Sequence, residues 1–430
     1  MNRNVVLITY DSLRADHCGH WGYERDTSPN IDAMAEEGVV FDNAIAPASR
    51  TNPSMAGTLT GEPMVVRDRV ANPDHARHHL RRHGTLAETF SDAGYRTGAF
   101  CPNAYASKFY GFDRGFDRFE DFMFDNSRYQ DLFEQHLGDS GLFTMVRNLR
   151  NFVFRQEAFK TWDSYLDEMV DWARESAAED NPFFLWAFSL DTHFPYLTPR
   201  KYREWSSLFD QYYYNWRCNQ LIDEFDIDIS EKERRKIIDI YDDSIRFGDV
   251  LIGELRERLS EFDPVVVVHG DHGEAFDERG IYGHFYPSLY EENLHVPLVV
   301  DDGETSATVE RPVSLTDLPE IVTRAAGLTE GDPYDVHHDW VVATDYDGRN
   351  DRALTAVRSQ RFKYLVETTA DDDRRECYDL ESDRGETDNL VGEGEVSDLF
   401  GRLSDDRIAH EQELLALREA AAGLGAGSTT

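Results

Sequence analysis

Apolar residues in this chain fall in short unbroken runs, and the stretches between them carry helical spacing. Residues 5–10, Val-Val-Leu-Ile-Thr-Tyr, form a continuous run rich in β-branched residues, the pattern of a strand buried on both faces of a parallel sheet. Asp11 follows at once. Runs at 97–100, 182–190 and 262–269 repeat the signature, the last with Val265 to Val268 at its centre. Between them the spacing predicts helices over 31–37, stopped by Gly38, over 85–93, stopped by Gly94, and over 164–178, together with an amphipathic run at 237–259. Strands alternating with helices predict an α/β fold, a doubly wound and mostly parallel sheet flanked by helices. Residues 119–157, aromatic and irregular, and 201–258, charged and helical, read as insertions that cover the sheet. After Leu328 the pattern changes to short strands at 340–344, 353–359 and 362–367 with acidic loops, which predicts a small C-terminal antiparallel α+β subdomain. The expected organisation is a main α/β domain over 1–330, the subdomain over 331–400, and a C-terminal helix with a flexible tail over 401–430.

Composition narrows the class. The chain has 430 residues, 40% hydrophobic and 12% aromatic, which is the composition of a folded globular protein. It carries 83 Asp and Glu against 44 Lys and Arg, a formal net charge of −39 that argues against nucleic acid as a partner. The acids are spread along the whole chain and only six basic residues are Lys, which predicts a surface adapted to high intracellular salt. Cys18, Cys101, Cys218 and Cys377 are far apart with no Cys-x-x-Cys spacing, so free thiols are expected and neither a zinc site nor a disulfide framework. The apolar run at the N-terminus is too short for a signal peptide, and no run of about 18 apolar residues predicts a membrane span. A cytoplasmic protein is expected, and the oligomeric state is left open.

Open α/β sheets place ligands beyond the carboxyl ends of their strands. Asp11 stands at such an end, and so does the pair Asp271-His272 within His-Gly-Asp-His-Gly-Glu. One Asp after a strand reads as a helix cap. Two such sites, one with an adjoining His, point to a shared divalent ion, Mn²⁺, Zn²⁺, Mg²⁺ or Ca²⁺. A third element spans 49–61: Pro53 suits a first helical position and Thr51 or Asn52 the cap, so the Thr51 hydroxyl is expected at a helix N-terminus, where an anion is favoured. His75, His78, His79 and His83 lie in an Arg-rich stretch that reads as a solvated face.

These blocks, in this order, resemble the sulfatase family of the alkaline phosphatase superfamily. Residues 4–17, Asn-Val-Val-Leu-Ile-Thr-Tyr-Asp-Ser-Leu-Arg-Ala-Asp-His, look like the first strand and metal-binding turn of sulfatases. Thr27-Ser28-Pro29-Asn30 with Gly38-Val39-Val40-Phe41, and then Pro53-Ser54 to Leu59-Thr60-Gly61, are similar to the next block, in which sulfatases carry Cys-x-Pro-x-Arg. Ala93-Gly94-Tyr95-Arg96-Thr97, Asp271-His272-Gly273-Glu274, Val296-Pro297-Leu298 and Tyr378-Asp379-Leu380 continue the resemblance across nearly the whole chain. It implies an alkaline-phosphatase-like fold, metal ligation by Asp11, Thr51, Asp271 and His272, and Thr51 as nucleophile. It also implies contacts from His193 and His284 to the ester oxygens or leaving group, with Arg50 and Asn103 on the pocket wall.

The departures from the pattern are equally specific. Thr51 replaces the Cys or Ser that sulfatases oxidise, so no formylglycine is expected; Met55 replaces the motif Arg, Ser12 replaces a second metal-binding Asp, and Cys101-Pro102-Asn103 stands where Gly-Lys-x-x-His is usual. The resemblance therefore implies a metal-dependent hydrolase of a sulfate or phosphate ester, carried by a small molecule, glycan or lipid headgroup, acting through a covalent Thr intermediate. A phosphodiesterase or a phosphoglycerol- or phosphoethanolamine-type transferase is the alternative, and an inactive binding protein on the same fold is a third reading.

Overall fold

The structure, a computed structural model, describes residues 3–65, 72–122, 160–178, 181–223, 229–348, 350–394 and 397–409. Most of the insertion expected at 119–157 and, from the C-terminal helix and tail expected over 401–430, residues 410–430 lie outside the described residues. Eight strands form the main sheet, in the order Ala307–Val309, Val39–Phe41, Leu298–Asp301, Val265–Gly270, Val5–Tyr10, Phe183–Ser189, Arg96–Phe100, Arg118–Glu120. Only Leu298–Asp301 runs antiparallel to its neighbours, so the fold is the mostly parallel, alkaline-phosphatase-like α/β sheet.

Burial on both faces explains why the strands are unbroken apolar runs. Val5, Leu7, Val265, Val267, Phe184 and Trp186 point into one core, while Val6, Ile8, Val266, Val268, Phe183 and Leu185 point into the other. The first core is covered by the helices Thr51–Thr60 and Leu86–Asp92 and by one face of the C-terminal sheet, through Leu354 and Ala356. The second is covered by Leu166–Ala178 and by Glu231–Arg258, whose Ile237, Ile240, Tyr241, Ile245 and Ile252 repeat at helical spacing. The C-terminal sheet is an antiparallel meander of Trp340–Asp347, Arg352–Ser359, Phe362–Thr368 and Asp373–Asp379, and Phe400, Leu403 and Ile408 pack on its other face.

Several boundaries moved for local reasons. The strand expected from 262 begins at Val265, because Phe262 closes a 3-10 turn and Pro264, after Asp263 in a left-handed conformation, has no N–H to give a ladder. The amphipathic helix starts earlier than 237, at Glu231, where the Ser230 hydroxyl accepts from Glu233 N at 3.3 Å. Thr51 is not the cap of its helix. The helix runs Thr51–Thr60 with Arg50 as N-cap and Pro53 at the third position, where the missing N–H is equally harmless. The Arg-rich stretch is the helix Pro73–His83, and its His79 is not solvated: it is buried, with Nε2 3.0 Å from both Thr60 Oγ1 and the Glu62 carbonyl, while His75, His78 and His83 are exposed. Among the described residues, no helix is long and apolar enough to cross a membrane, and all four cysteines are buried free thiols.

Candidate active site

Strand register brings the candidate residues together. Tyr10 is paired with Gly270 on one side and Ser189 on the other, all parallel, so the next residues emerge side by side at the carboxyl edge. Asp11 follows the first strand and Asp271-His272 the second, and one carboxylate oxygen from each Asp and one His272 nitrogen lie within 4.8 Å of one another. All three are fully buried. The turn that carries them is tightly enclosed: a Cβ on Gly273 would stand 2.1 Å from the Glu292 carbonyl oxygen. The Thr51 helix meets this edge end-on, with Ser54 Oγ donating to the Asp271 carbonyl at 2.6 Å.

Hydrogen bonds fix each group. His272 Nδ1 lies 2.8 Å from the Gly273 carbonyl and so carries the proton; its Nε2 lone pair then faces Thr51 Oγ1 at 3.2 Å. Asp271 Oδ1 accepts from Ser12 N at 2.9 Å and His272 N at 2.7 Å, while its buried Oδ2 has no hydrogen-bond partner. Burial, and then the Asp11 charge, push the Asp271 carboxyl well above the usual range. Burial, then His284, pull His272 down to about 4, so the imidazole is neutral at pH 7. Two adjacent buried carboxylates, an oxygen with no donor and an unprotonated imidazole form a set that a divalent cation fits. Ser12, in the left-handed region at φ 61°, donates its hydroxyl to Asp11 Oδ1 at 2.9 Å and does not supply a further carboxylate.

His193 follows the Phe183–Ser189 strand and is half-buried, its ring 5.0 Å from that of His284. The His284 ring is itself 4.4 Å from the His272 ring, so the two outer histidines border the central cluster. His284 Nδ1 lies 2.8 Å from Glu274 Oε1, and the other oxygen of Glu274 accepts from Tyr196 at 2.9 Å. Burial raises Glu274 to about 7 and lowers His284 to about 3. Asn103 reaches in from the end of Arg96–Phe100, donating to Asp11 Oδ2 while its own oxygen caps Tyr105 N at 2.6 Å. Arg50 is turned to the C-terminal sheet, where Asp345 accepts its Nε at 3.1 Å. Met55, at the family's Arg position, is fully buried in the apolar core. Sequence reasoning missed Asp345 altogether and used Glu274 only as part of a motif; the strand Trp340–Asp347 carries two buried acids, Asp345 and Asp347, and nothing in the sequence tells them apart.

A mostly parallel α/β sheet with two carboxylates, an imidazole and a helix-terminal hydroxyl at its carboxyl edge defines an alkaline-phosphatase-like hydrolase. The sulfatase family profile matches residues 3–328, and the chain belongs to the sulfatase family. Human arylsulfatase K is 23% identical over 444 residues, which cover 90% of this chain and 78% of that protein. An arylsulfatase of Clostridium perfringens is 38% identical over 97 residues, 23% of this chain and 20% of that protein. The solved phosphonate monoester hydrolase of Agrobacterium radiobacter has the same fold, with a TM-score of 0.65 at 18% identity over 97% of this chain and 96% of that one.

Proposed function

We propose that this sulfatase-family hydrolase cleaves a sulfate or phosphate ester, with Thr51 as the nucleophile that carries the transferred group. The observation behind this reading is the Thr51 hydroxyl, 3.2 Å from His272 Nε2, beside a buried Asp11–Asp271–His272 cluster that has an unpartnered carboxylate oxygen. Asp11, Asp271, His272 and Thr51 would hold one divalent ion, whose chemistry is to lower the hydroxyl pKa and neutralise charge on the transferred group. Thr51 Oγ1 forms the new bond to sulfur or phosphorus as the ester bond breaks, and the alcohol leaves with a proton. Water then attacks the same centre and frees Thr51.

The other residues orient and balance charge. Thr51 and Asn52 open the helix, so their N–H groups have no carbonyl four residues earlier within it and are available to the transferred anion. His284, held through Nδ1 by Glu274, keeps Nε2 for the ester, and His193 stands beside it to grip oxygen or protonate the leaving group. Asn103 holds Asp11, and Arg50, the residue before Thr51 and paired with Asp345, is the candidate to receive an ester oxygen. Oxidation of a threonine hydroxyl would give a ketone and not an aldehyde, so the reaction uses the alcohol itself and needs no formylglycine. Because a threonine adduct is released only by a second attack, an alcohol in place of water would make the same site a transferase, which is the second reading. The buried free thiols and the net charge of −39 support work in a reducing, salt-rich cytoplasm.

A panel of aryl sulfate, aryl phosphate and bis-aryl phosphate, run in molar KCl with Mn²⁺, tests the activity. Turnover of a monoester supports the monoester hydrolase, turnover of the diester alone favours a phosphodiesterase, and a transfer product formed with an added alcohol favours the transferase. Turnover of none, with an ion bound, would leave a binding protein on a hydrolase fold.

A further inference from the structure

Asp345 belongs to the edge strand Trp340–Asp347 of the C-terminal sheet, yet its side chain is fully buried against the segment that leads into the Thr51 helix. Its Oδ2 accepts from Ser49 N at 3.2 Å and Ser49 Oγ at 2.9 Å. Its Oδ1 accepts from Arg50 Nε at 3.1 Å, from Arg50 Nη2, and from Tyr346 N at 2.8 Å. Arg50 Nη2 also donates to the Tyr346 carbonyl at 3.1 Å, and Thr344 N donates to the Pro47 carbonyl at 2.9 Å, so the strand runs along the 47–50 segment. Ser49 Oγ in turn accepts from Ser288 N at 3.3 Å, four residues beyond His284. One carboxylate thereby joins the C-terminal strand to the segment carrying Thr51, and through Ser49 to the loop after His284.

This arrangement does more than fill a polar gap. A two-pronged guanidinium–carboxylate contact sets the plane and direction of the fork, which a single contact does not. Arg50 keeps 20% of its side chain exposed and adjoins Thr51 in an extended conformation, φ −136° and ψ 148°. Around the site lie the carboxyl groups of Asp11, Asp271 and Glu274, on a chain with 39 more acids than bases. A loosely held arginine would be drawn to any of those carboxylates. We propose that Asp345 is a positioning residue: it fixes the guanidinium of Arg50, the residue before Thr51, as the cation that receives the ester's anionic group, and makes the C-terminal sheet a working part of the site. The proposal rests on the reading of Arg50 as a substrate-binding residue, not on the identity of the nucleophile.

The test is the affinity for inorganic phosphate, measured by titration calorimetry in molar KCl with Mn²⁺. It is made in the otherwise unaltered protein, because inorganic phosphate carries no ester bond to cleave. Arg50→Ala is expected to weaken binding by about tenfold and Asp345→Asn by several-fold, while Asp345→Asn added to Arg50→Ala changes nothing further, because residues acting as one unit are not additive. Arg50→Lys keeps the charge but cannot take the two-pronged contact, and should lose as much affinity as Asp345→Asn. If Asp345→Asn does not fold, Arg50→Lys decides alone. Unchanged affinity in Asp345→Asn or in Arg50→Lys overturns the proposal, as does an Asp345→Asn loss that is equally large without Arg50. Failure of the parent protein to bind phosphate with Mn²⁺ present overturns it together with the anion-binding reading of Arg50. A Thr51→Ala protein that still turns over ester would overturn only the nucleophile and leave this comparison standing.

Discussion

At Asp271 the polypeptide alone leaves a conflict: a buried carboxylate beside that of Asp11, with one oxygen that completes no hydrogen bond. A divalent cation would remove the repulsion and supply the missing partner together. Purified protein is therefore expected to hold about one divalent ion per chain, as one compact set of oxygen and imidazole ligands allows. Asp271→Asn should lose it, and metal analysis of both proteins decides; equal occupancy would remove Asp271 from the ligand set. The amide also relieves the repulsion, so in chelator Asp271→Asn should melt no lower than the parent, whereas chelation should lower the parent's own melting temperature by mass action. Asp11, Asp271 and His272 were legible in the sequence, because a continuous apolar run identifies a buried strand and the next residue must then stand at its edge. Glu274 and Asp345 were not, since their partners Tyr196 and Ser49 lie 78 and 296 residues away and no local pattern connects them.

At the scale of elements, the alternation of buried strands and helices was readable, while helix starts depended on side-chain contacts. The first helix illustrates this: it was expected from 31 but runs Pro29–Glu37, because Asp249 in the middle of the Glu231–Arg258 helix accepts from Asn30 N and Ile31 N, both at 2.9 Å. A distant carboxylate thus takes the cap's role, and Ser28 makes no side-chain capping bond. Burial raises Asp249 to about 7, far above the value near 3.9 for an unfolded chain. The folded state therefore holds a proton that the unfolded state has lost between about pH 4 and pH 7, so this contribution to stability is complete below pH 4 and declines as pH rises through 7. Asp249→Asn should flatten that part of the stability curve, measured by urea unfolding from pH 5 to pH 8. A parent and mutant whose curves stay parallel over that range would show that Asp249 does not titrate there.

Over the whole molecule, charge decides how the protein responds to salt. Arg235–Glu231, Arg324–Glu320 and similar exposed pairs weaken as salt is added, and each contributes about 0–1 kcal/mol. With 83 acids and 44 bases, 39 carboxylates remain unmatched, so relief of their mutual repulsion outweighs the loss of such pairs. The melting temperature should rise steeply from low salt to molar KCl, and a flat profile would mean that the acidic surface is not an adaptation to salt. The composition made this legible. The union of the C-terminal sheet with the catalytic edge was not, because the sequence pattern shows only a change of strand type after Leu328, whereas the bond from Asp345 to the Thr51 segment exists only in the folded chain.

The central claim, that Thr51 carries the transferred group, is tested most directly by intact-protein mass after a rapid acid quench during turnover. The parent should show a phospho- or sulfo-adduct, and Thr51→Ala should show none and turn over no substrate. Thr51→Ser, which keeps the hydroxyl, should retain measurable activity. Thr51 is the first helical residue and makes no capping bond, so its loss should cost less than the roughly 0.5–2 kcal/mol of a removed cap, and the inactive mutant should remain folded. A Thr51→Ala protein that turned over ester at the parent rate, or that acquired the same adduct, would contradict the account.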